Sequence, residues 1–208
     1  MTQLSEKAAE KSLAEIMSSI GLRARSAAQT LALANTEEKN TGLQNAANEL
    51  RAAAGDIVEA NRHDLAEAEK QNVGPARLDR IMLDAARLEA IANAVEAIIA
   101  LPDPVGTELA GWQVPSGLDI TRVRVPLGVT GVIYESRPNV TADAAALCLK
   151  AGNAVILRGS SEIVQSARAI HACFSRGLEA AGLDPDNVQL VPSTDRAAVG
   201  MMLGGLGG

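Results

Sequence analysis

Apolar residues in the first half of the chain recur at helical spacing. Positions 6–101 are rich in Ala, Leu, Glu, Arg and Lys and contain few Pro or Gly, which predicts a series of helices. Asn35 followed by Glu38 predicts a capped helix start, and Gly74-Pro75 predicts a break between two helical runs. The apolar repeat over 81–98 predicts one stripe that faces the core, with no role in binding.

Beyond these helices, apolar and polar residues alternate and then give way to short apolar runs. Alternation over 118–125, with a turn at 115–117, predicts a strand or hairpin. The later predicted strands are 129–135, apolar on both faces, 154–157 and 188–191, and the helices between them are 140–151 and 162–181, closed by Gly152 and Gly182. This order predicts an α/β fold whose βαβαβ unit has right-handed crossovers and a parallel sheet.

The carboxyl ends of parallel strands are where ligands bind in such folds. Two predicted loops lie at that edge, Glu135 to Asn139 and Arg158 to Glu162. The residues with candidate chemistry are therefore expected in these loops.

Composition excludes several classes of protein. The chain has 208 residues, of which 47% are hydrophobic, 21% charged and 1% aromatic, so we expect a core of closely packed helices on a small sheet. Its net charge of -6 argues against binding to nucleic acid. No apolar run approaches the roughly 18 residues of a membrane span, and Met1–Glu10 lacks a secretory signal. We expect a cytoplasmic protein with both cysteines reduced.

The loop from Arg158 to Glu162 combines a cation, a small-residue turn and a predicted helix start. Free amides at a helix N-terminus together with a guanidinium would suit a phosphate, and Glu162 could accept hydrogen bonds from ribose hydroxyls. The alternative is an ordinary turn in which Ser160 or Ser161 caps the helix. No G-x-G-x-x-G motif follows a strand, so the common dinucleotide fingerprint is absent.

The loop from Glu135 to Asn139 offers a second set of polar groups. Pro138 restricts the backbone just before the predicted helix. Asn139 could cap that helix, the role its residue type favours, or point its amide at an oxygen that gains charge during a reaction. Arg137 could pair with Glu135 or meet an anionic ligand.

The cysteines and histidines do not form a recognisable catalytic or metal motif. Cys148 and Cys173 lie within apolar helical segments, where inert buried thiols are expected. His63 and His171 have no partner at metal-ligand spacing, and both are expected at the surface or on a helix flank.

Two long motifs point to a known family. Val123–Thr141 reads VRVPLGVTGVIYESRPNVT, and Leu147–Gly159 reads LCLKAGNAVILRG. With shorter motifs at 39–40, 60–65, 78–80 and 103–106, they resemble the γ-glutamyl phosphate reductases, or glutamate-5-semialdehyde dehydrogenases, of the aldehyde dehydrogenase superfamily. The resemblance implies a partial Rossmann-like sheet of the aldehyde dehydrogenase type, preceded by helices and a hairpin.

The implied reaction is the NADPH-dependent reduction of L-glutamyl 5-phosphate to L-glutamate 5-semialdehyde, with release of phosphate, in proline biosynthesis. A cysteine thiolate displaces phosphate to give a thioester, which is then reduced. Asn139 matches the asparagine whose amide helps to hold the oxyanion. Ser136, Arg137 and Pro138 match the loop beside the nicotinamide half of the cofactor.

The same resemblance assigns the second loop to the adenosine half. Arg158 takes the place of the superfamily lysine near the adenosine ribose, with Gly159 in the same cofactor-binding turn and Glu162 as the acidic neighbour. An arginine there suits a 2′-phosphate, so NADPH fits. Ser160 departs from the glycine that the family often has, which would alter the close approach of the backbone to the cofactor.

The family also implies a division of the chain and a missing part. We expect a helical part of the cofactor-binding domain over 1–107, an oligomerisation hairpin over 108–127 and a truncated βαβαβ unit over 128–208. The nucleophilic cysteine belongs to a downstream catalytic domain, and neither Cys148 nor Cys173 matches it. The chain alone is expected to be inactive and the complete enzyme to form homo-oligomers; the alternative is a non-catalytic nucleotide-binding or interaction fragment.

Overall fold

Helices, a hairpin and a small parallel sheet follow one another along the chain. A computed structural model describes residues 12–206, so the expectations for Met1–Glu10 and for a helix start near residue 6 lie outside the described residues. The helices are α1 (Leu13–Leu31), α2 (Thr36–Ala52), α3 (Ala54–Lys70), α4 (Pro75–Ile81), α5 (Ala85–Ile99), α6 (Asn139–Lys150), α7 (Val164–Ala180) and α8 (Ala197–Leu203). The strands are β1 (Glu108–Gln113), β2 (Asp119–Val123), β3 (Val129–Ile133), β4 (Ala154–Arg158) and β5 (Val188–Leu190), and 3-10 turns occupy Ser161–Ile163 and Pro185–Asn187.

Local signals set the boundaries of the early helices, as predicted. The Asn35 side chain accepts a hydrogen bond from the Glu38 amide at 3.0 Å, and the Glu38 carboxylate accepts from the Asn35 amide at 2.7 Å. This reciprocal cap starts α2. Pro75 occupies the first turn of α4, which confirms the break at Gly74-Pro75.

The predicted apolar stripe over 81–98 is shared between α4 and α5. Ile81 ends α4, and the Asp84 side chain accepts from the Arg87 amide at 2.7 Å, which starts α5. Leu88 and Val95 on α5 are buried, which confirms the core-facing role of the stripe. The Asp84 side chain acts as the N-cap of α5, because it accepts a hydrogen bond from an amide that has no backbone acceptor within the helix.

The sheet has the order β3-β4-β5 and is parallel throughout, which confirms the βαβαβ prediction. Val129 pairs with Ala154, and Val155 pairs with Val188. Although the first of these strands is apolar on both faces, β3 lies at an edge of the described sheet and Ile133 is 43% exposed. Every residue of β4, the central strand, is buried.

Side chains of β4 alternate between two cores. Val155 and Leu157 belong to the larger core, which includes residues of α2, α5, α6 and α7. Ile156 belongs to a smaller core on the opposite face, formed by α1 and α8. The period of two therefore places a helical layer on each face of the sheet. On the side of the larger core, α2 and α7 approach closely, because Gly177 has no side chain and lies directly against the backbone of Ala46.

The hairpin of β1 and β2 matches its prediction. The strands are antiparallel, and Trp112 pairs with Ile120. Gly117 has φ of 86°, a left-handed conformation that closes the turn at little cost only for glycine. The residues of β1 are all exposed, including Trp112 at 50%.

Candidate active site

The two predicted loops meet at the carboxyl ends of β3 and β4. The Tyr134 amide donates to the Arg158 carbonyl at 3.1 Å, which extends the pairing of the strands by one residue. The Ser136 amide then donates to Ser160 Oγ at 3.2 Å. Ser160 makes no capping bond to the following turn, so its predicted alternative role as a helix cap is wrong. Its hydroxyl joins the loops instead.

Glu162 is held by an arginine that sequence reasoning missed. Arg77 on α4 places Nε 3.2 Å from Glu162 Oε2 and 3.3 Å from Ser136 Oγ, and the Ser136 hydroxyl also donates to the Glu162 carboxylate. The Glu162 side chain is only 10% exposed. Its charge is therefore balanced by Arg77, and the bonds from Arg77 and Ser136 both go to one carboxylate oxygen, Oε2.

Asn139 is the first residue of α6, directly after Pro138, whose φ is -58°. Its side chain makes no capping bond, so the favoured structural role is wrong. Instead Nδ2 donates to Asp143 Oδ2 at 2.9 Å. The spacing of four residues on a helix was a usable sequence signal for this pair. An amide nitrogen has two hydrogens, so one remains for another acceptor.

A cavity of about 300 Å³ opens beside Asn139 and Asp143. It is lined by the end of α4, the start of α5 and the first turns of α6, with Arg80 and Arg87 as its cations. Arg87 is held by the Asp79 carboxylate at 2.6 Å and by two backbone carbonyls. Arg80 forms no ion pair with any residue in the range 12–206.

Burial raises the pKa of the Asp143 carboxyl above its ordinary value, although the hydrogen bond from Asn139 acts in the opposite direction. The side chain is half-buried and has no basic partner within the described range. A cationic group bound nearby would favour its ionised form.

Arg158 lies at the end of β4 and is buried, with 9% exposure. Its terminal nitrogens donate to the carbonyls of Gly159 at 3.0 Å and Thr194 at 2.9 Å, and its Nε has no hydrogen-bond partner within residues 12–206. No carboxylate of the described residues pairs with it. The guanidinium therefore keeps an uncompensated positive charge at the sheet edge.

A narrow cleft of about 20 Å³ runs from Gly159 and Ser160 to the segment after β5. Arg168 on α7 also lines it and donates to the Pro192 carbonyl at 3.3 Å. Sequence reasoning missed Arg168, because only the fold brings α7 beside this segment. Arg158 and Arg168 thus both donate to carbonyls of the segment after β5, those of Thr194 and Pro192.

Arg137 is exposed, and its predicted pairing with Glu135 is absent. Neither side chain has an ion pair among the residues that the structure describes. The Arg137 amide instead donates to the Glu135 carbonyl within the loop. The guanidinium is free to meet an anion.

Two polar residues of α3 fix the position of both halves of the site. Asp64 accepts from the amides of Gln165 at 3.1 Å and Ser166 at 2.8 Å, at the start of α7. Asn61 donates to the Ile81 carbonyl at 2.8 Å and accepts from the Leu83 amide at 2.7 Å. These buried bonds hold the N-terminus of α7 and the segment between α4 and α5 on one helix.

The thiols and imidazoles lie apart from this site. Burial raises the pKa of both Cys148 and Cys173, which disfavours the reactive thiolate. His63 is exposed, as predicted. His171 is half-buried on α7, as expected of a helix-flank residue. Its Nε2 lies 2.8 Å from the Val188 carbonyl oxygen, and burial lowers its pKa.

A larger cavity within residues 12–206 does not coincide with the polar loops. It measures about 780 Å³ and lies between α1 and β3, with a mainly aliphatic and glycine lining around Arg25 and Gln29. Because Asn139 and the paired loops are at the carboxyl edge of the sheet, we place the candidate site there. No helix within residues 12–206 is long and apolar enough to cross a membrane, and no group of three His, Cys, Asp or Glu side chains converges there.

The sequence profile of the aldehyde dehydrogenase family matches residues 4–204. A γ-glutamyl phosphate reductase from Brucella anthropi is 59% identical over 196 residues, covering 94% of this chain and 46% of that protein. The one from Mesorhizobium japonicum is 54% identical over 208 residues, covering 100% and 48%. The chain thus spans about half the length of the curated relatives it matches.

Solved structures agree with this similarity. The crystal structure of γ-glutamyl phosphate reductase from Thermotoga maritima superposes with a TM-score of 0.88 at 37% identity, over 90% of this chain and 45% of that one. An acetylating aldehyde dehydrogenase from Geobacillus thermoglucosidasius has a TM-score of 0.68 at 16% identity, over 89% and 38%, and shows the shared fold alone.

Proposed function

The chain belongs to the aldehyde dehydrogenase family, and from this premise we propose that it forms the cofactor-binding part of a γ-glutamyl phosphate reductase. The complete enzyme would convert L-glutamyl 5-phosphate to L-glutamate 5-semialdehyde and release phosphate, in proline biosynthesis in the cytoplasm. One observation carries this proposal: the loops after β3 and β4 meet, and Asn139 stands beside a cavity of about 300 Å³. Relatives above 50% identity that bear this enzyme's name support it.

The residues at the sheet edge fit a phosphorylated nicotinamide cofactor. Arg158 has an unpartnered Nε and no carboxylate partner among residues 12–206, and Arg168 adds a second cation. Two guanidinium groups suit the 2′-phosphate of NADPH. Because the cleft is narrow, the adenosine would lie over Gly159 and Ser160 rather than inside the fold. When bound, NADPH supplies a hydride.

Ser136, Arg137 and Pro138 would border the nicotinamide half. Glu162 would act through the loop, because its bonds to Ser136 and Arg77 hold the two loops together.

Asn139 would stabilise the oxyanion that develops on the acyl group. Asn139 Nδ2 donates one of its hydrogens to Asp143 Oδ2, at a nitrogen-to-oxygen distance of 2.9 Å, and this bond fixes the direction of the amide. The second hydrogen is available to an oxygen in the cavity. A donor that is already oriented stabilises developing charge without reorganisation, and removal of such a donor typically costs about 100- to 1000-fold in rate.

The nucleophile of this reaction is not supplied by Cys148 or Cys173. Both thiols have raised pKa values, and neither lines the cavity beside Asn139. We therefore expect no turnover from the 208 residues alone. Phosphate- and NADP-dependent oxidation of glutamate semialdehyde by the purified chain should be absent, and a rate comparable with that of a relative of full length would contradict this.

The exposed hairpin favours a second candidate function. Trp112 and Leu118 are 50% and 62% exposed. Contact of large apolar side chains with water is unfavourable, and exposed apolar patches are typical of surfaces that bind another chain. As the segment 108–127, the hairpin would join subunits of a homo-oligomer, between a helical part over 1–107 and the βαβαβ unit over 128–208. Without a surviving cofactor site, the chain would be an interaction fragment only.

Titration calorimetry with NADPH and NADH separates these functions. We expect NADPH to bind more tightly than NADH. Arg158→Ala should lower the affinity for NADPH at least about tenfold, because a charge-assisted contact with the 2′-phosphate is lost. The affinity for NADH should change little.

Arg62→Ala is the matched control, since Arg62 is exposed on α3 and lies outside the cleft. It should leave both affinities unchanged. Absence of NADPH binding, or equal losses in the two arginine variants, would contradict the cofactor proposal and leave the interaction function.

A further inference from the structure

Two charged side chains in the cavity beside Asn139 have no ionic partner in the described part of the chain. Among residues 12–206, Arg80 forms no ion pair and Asp143 accepts only the hydrogen bond from Asn139. The other cation of the cavity, Arg87, is already paired with Asp79 at 2.6 Å. Arg80 and Asp143 do not pair with each other, although both line the same space.

The cavity has the size and polarity of a site for a small polar molecule. Its volume of about 300 Å³ lies at the lower limit of pockets that bind small ligands, about 300–1,000 Å³. A carboxylate has about four lone-pair sites, so the single bond from Asn139 leaves room for an ammonium donor on Asp143. The planar guanidinium of Arg80 suits a carboxylate, which it can hold through two parallel bonds.

We propose that Arg80 and Asp143 bind the α-carboxylate and the α-ammonium group of an amino-acid substrate. They would thereby select an acyl group that belongs to an amino acid over a plain acyl compound of the same length. This inference rests on the proposed function, in which the substrate is L-glutamyl 5-phosphate and Asn139 meets its acyl oxygen.

The presence of Asp143 argues against phosphate as the ligand of Arg80. A phosphate would bring negative charge into the cavity that already contains a half-buried carboxylate. Repulsion between like charges is strong where water is partly excluded. A zwitterion instead brings an ammonium group for Asp143 and a carboxylate for Arg80, so every charge gains an opposite partner.

Three probes that differ by one group test this proposal on the unmodified chain. L-Glutamate 5-methyl ester has both α-groups, monomethyl glutarate lacks the ammonium, and methyl 4-aminobutanoate lacks the carboxylate. Titrations followed by amide chemical shifts should show the first probe binding at least about tenfold more tightly than either of the others. Shifts should be centred on Asn139, Asp143 and the start of α5.

Variants assign each group to its residue. Arg80→Met should weaken binding of the two probes that have a carboxylate by about tenfold and leave methyl 4-aminobutanoate unchanged. Asp143→Asn should weaken the two probes that have an ammonium group and spare monomethyl glutarate. Arg62→Met and Asp119→Asn, at exposed positions outside the cavity, are the matched controls and should change nothing.

Several outcomes would overturn the proposal. Equal affinities for the three probes, equal effects of Arg80→Met on all of them, or no binding of the methyl ester would each do so. Displacement of the ester from Arg80 by inorganic phosphate would identify phosphate as the ligand instead. A parallel NADPH titration separates the two proposals, because a chain that binds NADPH but does not discriminate among the esters retains the proposed function and loses only this inference.

Discussion

Replacement of Asp64 by alanine removes the acceptor that holds the start of α7. The carboxylate accepts from the amides of Gln165 and Ser166 and from the Ser166 hydroxyl, at 3.1, 2.8 and 2.6 Å. Asp64 is only 5% exposed, so water does not readily take its place. The loop from Arg158 to Ile163 runs directly into this helix, and its geometry depends on the same anchor.

The cost follows from the donors left without a partner. Each buried donor without an acceptor costs about 1–3 kcal/mol. The Ser166 hydroxyl can rotate, whereas the two amides cannot, so we expect Asp64→Ala to lower the free energy of unfolding by about 2–4 kcal/mol. Asp64→Asn keeps one acceptor oxygen and should cost about half as much. The NADPH affinity should fall in the same order.

Urea unfolding followed by circular dichroism measures this change. Helical signal is the better probe, because the single tryptophan, Trp112, is exposed on the hairpin and reports little on the core. The midpoint should fall while the slope with denaturant stays constant, as expected for a change in stability alone. Asp56→Ala, in the first turn of the same helix, is the control and should cost about 0.3–1 kcal/mol through the helix dipole.

A cost for Asp64→Ala no greater than that of Asp56→Ala would refute the reasoning, since it would show that the amides of α7 find other acceptors. An unchanged NADPH affinity in a clearly destabilised Asp64→Ala chain would refute the link between this anchor and the cofactor loop.

Two further predictions concern packing and pH. Gly177→Ala would place a Cβ 2.5 Å from the Ala46 amide nitrogen, so α2 and α7 must move apart. The melting temperature should fall, and the free energy of unfolding should drop by about 1–3 kcal/mol. The control Gly55→Ala, whose Cβ meets nothing within 4 Å, should be neutral or stabilising, and equal effects of the two variants would contradict the close approach of α2 and α7. Burial lowers the pKa of His171 below its ordinary value of 6.5. As the pH falls, the imidazole of the unfolded chain is therefore protonated before that of the folded chain. The free energy of unfolding is unaffected by this group above pH 6.5 and decreases as the pH falls below that value. Stability measured between about pH 8 and pH 5 should therefore decline less in His171→Gln than in the unchanged chain, and parallel curves would contradict this.

Features that depend on near neighbours in the sequence were predictable. Asn35 and Glu38 are three residues apart and cap α2 as expected, and Gly152 has a positive φ of 73° after α6. The meeting of the two loops also followed from a general property of parallel strands. The pair of Asn139 and Asp143 was within reach, because a spacing of four residues on a helix brings side chains together.

Features that depend on tertiary packing were not predictable. Arg77 reaches Glu162 only because α3 carries α4 to the sheet edge, and nothing in the local pattern indicates it. The same holds for Arg168, which the fold places beside the segment after β5. The helical periodicity over 81–98 indicates a core-facing stripe, but it does not show that Asp84 starts a new helix within it.

The central claim is that the loops after β3 and β4 together form the cofactor site, and amide chemical shifts on titration with NADPH test it most directly. We predict that the amides of Ser136 to Asn139 and of Gly159 to Glu162 shift with one common affinity, and that Arg158→Ala weakens both sets together. Shifts confined to the aliphatic cavity between α1 and β3, or to one loop alone, would contradict the claim.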